Sequence, residues 1–130
     1  MQENSLEFYN KVKNIISIGT EIKLIEDIDY KQKKIKFSRK KYKIFEIDLW
    51  YSWVDIYVSN KWVWVKIDIY PVFIYLIQNK LINEKGLLFF KDILIKRISS
   101  DKYCNKISKK NALFLIEYLK IDKYLEKLAW

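Results

Sequence analysis

The sequence predicts an α+β domain: an N-terminal helix, a four or five-stranded antiparallel meander, and three or four C-terminal helices packed on one face of the sheet. Three observations lead there. Residues 42–70 alternate at the period of a strand, and nine of those twenty-nine residues are aromatic, including four of the five tryptophans. Apolar residues before and after this stretch recur at helical spacing. The alternation leaves one strand face wholly aliphatic, which requires a core on that side.

Residues 4–17 read as an amphipathic helix. Asn4 or Ser5 caps it, Glu7 stands in its first turn, Leu6, Tyr9, Val12, Ile15 and Ile16 form one face, and Gly19 suits its end. Glu21 to Tyr30 reads as a strand. Lys33 to Phe37 and Tyr42 to Leu49 read as a hairpin around Ser38, Arg39, Lys40 and Lys41. In its second arm Ile44 faces one side and Phe45, Ile47 and Leu49 the other, so the strand is buried on both faces or carries a bulge. A further hairpin, strands 53–58 and 62–69, turns at Ser59 and Asn60 and pairs Tyr57 with Trp62, Ile56 with Val63, Asp55 with Trp64, Val54 with Val65 and Trp53 with Lys66. One face is then Val54, Ile56, Val58, Val63, Val65, Ile67 and Ile69; the other is Trp53, Asp55, Tyr57, Trp62, Trp64, Lys66 and Asp68.

Pro71 suits the first turn of a helix running to Lys85 with Gly86 as its C′ residue and Val72, Phe73, Leu76, Ile77, Lys80 and Leu81 inward. Residues 87–98 form a second apolar helix or a buried strand. Ser99 to Lys110 is a basic connector, Ser108 or Asn111 caps a helix bearing Ala112, Leu115, Ile116 and Leu119, and Asp122 starts a last turn with Tyr124, Leu125 and Leu128.

The whole of 1–130 reads as a single domain, long enough to bury roughly two-thirds of its unfolded surface. One cysteine, Cys104, excludes an intramolecular disulfide and reads as a small core or boundary residue. There is neither a secretory leader pattern nor an apolar run of roughly 20 residues, so the expectation is a soluble, non-secreted protein of cytoplasm or organelle matrix with no membrane partner. Lysine outnumbers arginine 23 to 2 and isoleucine appears 21 times, the usage of a very AT-rich genome. Five tryptophans suggest a mycoplasmal or mitochondrial code that reads UGA as Trp, with a phage or virus of an AT-rich host as the equal alternative.

Such a genome weakens the meaning of a net charge of +9, so the distribution of that charge matters more. Residues 31–43 carry eight cations and no acid, and 85–110 carry the rest of the excess. Aromatics beside clustered cations point to a binding surface. Phosphates fall to Lys31, Lys33, Lys34, Lys36, Arg39, Lys40, Lys41 and Lys43, and bases or a partner to the face of Trp53, Tyr57, Trp62, Trp64 and Lys66. The expected ligand is RNA or single-stranded DNA, because arginine, the usual guanine reader of duplexes, is nearly absent. A helix-turn-helix over 87–120 is the weaker nucleic-acid reading. The alternative is a protein–protein module, such as a small phage-borne inhibitor of a host defence enzyme or a structural subunit of an organellar assembly, since tryptophan and tyrosine anchor such interfaces.

Catalysis is expected to be absent. With no histidine there is no imidazole base and no histidine-containing metal site, and two glycines cannot build a phosphate-cradling loop. No cofactor, metal or catalytic residue is assigned. Asp55, Lys66 and Asp68 on one hairpin face resemble in part the carboxylate–lysine arrangement of metal-dependent nucleases of the PD-(D/E)xK type. That pattern sets an acid two residues before the lysine, where this chain has Trp64. One acidic ligand is thus missing, and a nuclease is the third reading.

Overall fold

A computed structural model describes residues 5–50, 53–99 and 107–123, with the side chains of Ser5, Trp50 and Trp53 outside that description. The chain divides into two compact units, Met1–Tyr75 and Leu76–Trp130. The expected helix–sheet–helices order is present: α1 (Ser5–Ile15), β1 (Glu21–Asp29), β2 (Lys34–Trp50), β3 (Trp53–Ser59), β4 (Trp64–Ile67), α2 (Ile69–Gln78), α3 (Glu84–Ser99) and α4 (Lys109–Leu119). The strands form one antiparallel sheet in the order β1-β2-β3-β4.

In the first unit α1 packs against β2 and β3, burying Val12 and Ile16, while the Tyr9 hydroxyl donates to the Ile47 carbonyl at 3.2 Å. Leu6, expected on the packed face, is exposed because it sits in the first turn, ahead of the buried stripe. Gly19, with φ +93°, makes the turn into β1 that only glycine adopts freely, and its N–H donates to the Ile44 carbonyl at 2.7 Å.

β2 corrects the expected hairpin of 33–49, for its 17 residues run unbroken through Ser38–Lys41. The chain reverses earlier, at residues 30–33. There Asp29 Oδ1 accepts the N–H groups of Lys31 and Gln32 at 3.1 and 3.0 Å, and Lys33 takes φ 54° before Lys34 pairs back with Asp29. What resembled a turn is a bulge: between the pairs Lys23–Lys41 and Ile25–Phe37 β2 spends two residues more than β1, and the Ser38 hydroxyl accepts the Lys40 N–H at 3.2 Å.

A second bulge lies between the pairs Ile44–Val58 and Glu46–Tyr57. Phe45 is the extra residue, and it resets the alternation so that Ile44, Ile47 and Leu49 share a face, contrary to the expected split. The inner face is therefore continuous. Ile44, Val58 and Val65 form one row, Ile47, Ile56 and Ile67 the next, and Leu49 with Val54 a third. Ile44, Ile47, Val54, Ile56 and Val58 are buried, whereas Val65 and Ile67, on the edge strand, are half-buried.

The β3–β4 hairpin has the expected faces but a different register. Tyr57 pairs with Lys66, Val58 with Val65 and Ser59 with Trp64, around a loop of Asn60–Val63. Asn60 closes it: its Oδ1 accepts from the N–H groups of Trp62 and Val63 at 2.9 and 3.0 Å, and its own N–H donates to the Val63 carbonyl. A two-residue turn of type I′ or II′ at Ser59 and Asn60 would need positive φ at Ser59, and neither residue has it. Trp62 and Val63 thus leave the strand; Val63, expected in the core, is 51 % exposed.

α2 begins where Asp68 Oδ1 accepts the Ile69 N–H, and it ends earlier than expected. Lys80 takes φ 56°, and the bonds Leu81 N–H to Leu76 O and Lys80 N–H to Ile77 O close a Schellman motif, leaving Lys80 and Leu81 exposed beyond the helix. In the second unit Gly86 lies in the first turn of α3, not at a C-terminus, because Asn83 caps that helix by accepting the Gly86 N–H at 2.9 Å. Residues 87–98 are helical. Ser108 caps α4, α3 and α4 pack together, Leu87, Phe90, Ile93, Leu94, Ala112, Leu115 and Leu119 are buried, and Lys91 forms an ion pair with Asp122. The connection on which a helix-turn-helix over 87–120 depends includes residues 100–106, which lie outside the described residues. Cys104, Tyr124, Leu125 and Leu128 lie outside the described residues. No described helix is long and apolar enough to cross a membrane.

Candidate functional site

Cross-strand register assembles the outer face of the sheet from partners directly opposite one another, which share a face. One row is Glu21, Lys43, Ser59 and Trp64; a second is Glu46, Tyr57 and Lys66, with Phe45 beside Glu46 at the bulge. Lys23 faces Lys41 on one side of these rows, and Asp48 faces Asp55 on the other. The face thus grades from lysines through aromatics to carboxylates.

The aromatics are contiguous. Phe45 and Tyr57 have ring centroids 6.1 Å apart, and Tyr57 and Trp64 are 6.0 Å apart, inclined at 49° and 46°. Phe45, Glu46, Tyr57, Ser59 and Trp64 line an open groove of about 430 Å³. Phe45 is 44 % exposed, Trp64 66 % and Trp62, on the adjoining loop, 86 %. This part of the face is therefore open, whereas its acidic end is not, because Asp55 is only 3 % exposed. Alternation alone cannot distinguish an outward strand position that is covered from one that is open.

Partial burial pushes the Tyr57 phenol above its ordinary pKa, and the carboxylates of Asp48, Asp55 and Glu46 push it further. Asp68 Oδ1 accepts the Ile69 N–H at the start of α2. Among the described residues no group of three or more His, Cys, Asp or Glu is arranged to hold a metal ion.

The predicted phosphate residues separate into three sets. Lys34 and Lys36 stand opposite Asp29 and Asp27, and Lys36 also reaches Glu26 at 3.4 Å, so β1 supplies the counter-charges that segment 31–43 lacks on its own. Lys31 and Lys33 belong to the turn, and Arg39 and Lys40 to the bulge. Only Lys41 and Lys43 share the face of the aromatic ladder, Lys41 lying 3.4 Å from Glu21. Of the predicted stacking residues, Tyr57 and Trp64 are in the ladder, Lys66 borders it, Trp62 is at the loop tip, and the Trp53 side chain lies outside the described residues. Sequence reasoning missed Phe45, Glu46, Ser59 and Lys23. The signal for the first two was the broken alternation at Ile44–Ile47; Lys23 required the register of β1.

No protein-family model, curated protein or solved structure matches the chain.

Proposed function

We propose that this protein is a non-enzymatic binding module for single-stranded nucleic acid, RNA or single-stranded DNA, that lays bases on Phe45, Tyr57 and Trp64 and phosphates along Lys43, Lys41 and Lys23. The observation that supports this most is the continuity of the aromatic ladder with the lysines on the same face. Lys23 and Lys41, directly opposite each other, have Glu21 3.4 Å from Lys41 to offset one of their charges, and a second anion beside them would offset the other. A phosphate is such an anion, and flexible lysines grip it without reading sequence. Unstacked bases reach the rings; a duplex hides its bases from a flat sheet face.

Mixed-sequence oligonucleotides titrated into the protein at low salt, with tryptophan emission as readout, test this. Single strands should bind well ahead of duplexes. Trp64→Ala should weaken binding by about tenfold, since stacking on an aromatic contributes roughly 1–3 kcal/mol per base and 1.4 kcal/mol is tenfold. Equal binding of single strands and duplexes would overturn the stacking reading.

The protein–protein reading retains one specific support: Trp62 and Val63, 86 % and 51 % exposed, make an apolar tip beyond the reach of the ladder. If single strands do not bind while a protein retained from native extract is lost with Trp62→Ser, that reading replaces the first.

A further inference from the structure

The groove in the ladder contains one carboxylate, which neither stacking nor phosphate binding uses. Glu46 is exposed at the rim beside three rings, and no hydrogen bond or ion pair holds its carboxylate among the described residues. An ionised carboxylate only accepts, and its two oxygens match a pair of adjacent N–H donors. We infer, on the basis of the nucleic-acid reading above, that Glu46 is the specificity-determining residue of this groove and selects guanine, whose Watson–Crick edge presents N1–H and N2–H side by side, while Tyr57 and Trp64 stack the base.

The alternatives fit less well. Adenine offers one exocyclic donor next to an acceptor that the carboxylate repels. Thymine and uracil offer a single N–H between two carbonyls, and cytosine one amine. A cationic ligand would meet Glu46 but also Lys43 and Lys66, which flank the groove in its two rows. A neutral, donor-edged base carrying a phosphate satisfies both the carboxylate and the lysines. The volume of about 430 Å³ lies within the roughly 300–1,000 Å³ of ordinary ligand pockets.

The test uses thymidine tracts of equal length with one central guanine, inosine, adenine or cytosine, titrated against the full chain and Glu46→Gln by tryptophan emission. Guanine should bind about five- to tenfold tighter than adenine, the low end of a bidentate base contact because the site is open. Inosine, which keeps N1–H and lacks the N2 amine, should fall between. Glu46→Gln should bring guanine and adenine within about twofold without weakening the adenine tract. Equal affinity for all four tracts in the unaltered protein, or a guanine preference that survives Glu46→Gln, overturns this inference and leaves the stacking reading in place. Failure of every tract to bind at low salt overturns both.

Discussion

At the scale of single residues, Phe45 shows how one extra position determines what a face becomes. Because it is bulged out opposite Tyr57, the inward series continues through Ile47 and a ring is added to the outer groove. Sheet-core and loop positions should respond differently to truncation. Ile56→Ala, at a fully buried site, should cost roughly 2–5 kcal/mol. Val63→Ala, on the exposed loop, should stay within about 0.5 kcal/mol, and urea unfolding measures both. Tyr57 adds a pH dependence. Its phenol ionises in the folded state above the unfolded value of roughly 10, so above that pH the unfolded chain loses a proton that the folded chain keeps. The stability tied to Tyr57 is thus present below about pH 10 and lost as pH rises through the folded value. Tyr57→Phe should lose less of its urea midpoint than the unaltered protein over that range; equal losses would show that the phenol is not perturbed.

At the scale of elements, three register shifts and the two turns closed by Asp29 and Asn60 define the sheet. The account of β2 makes a contrast between deletions. Removing Phe45 leaves Ile44 and Ile47 two positions apart, still on one face, and the protein should fold with an ordinary ladder there. Removing Asp48 turns Leu49 outward and should abolish cooperative unfolding followed by circular dichroism. Identical behaviour of the two deletions would contradict the assigned bulge. The same element marks how far the sequence was legible. Period-two alternation in 53–69 identified the aliphatic and aromatic faces even with the register misplaced by four residues, because such a slip preserves parity. Turn positions were not legible in the same way. Ser38–Lys41 has turn-like composition but bulges within β2, and the reversals belong to Asp29 and Asn60, whose side chains bond backbone N–H groups that hydropathy does not reveal. Gly86 misled similarly: the C′ position it was expected to fill is held by Lys80 in a left-handed conformation, and Asn83 starts the next helix.

At the scale of the whole molecule, clustered charge is a weaker guide than charge on a shared face. Segment 31–43 carries eight cations, yet its strand partner β1 brings Glu21, Glu26, Asp27 and Asp29 against it. The lysines that matter for the proposal are those that register aligns with the ladder: Lys43, Lys41 and Lys23 from the neighbouring strand. The salt dependence of single-strand binding distinguishes the two views most directly, measured for the unaltered protein, for Lys23/Lys41/Lys43→Gln, and for Lys34/Lys36→Gln. If the face holds three phosphates, log K should fall against log salt with a slope of roughly −2, a single-stranded phosphate contributing about 0.7 each. The triple variant should flatten that slope towards zero and the double variant should leave it nearly unchanged. A slope unaltered by the triple variant, or the absence of any binding at low salt, would contradict the assignment of this face to single-stranded nucleic acid.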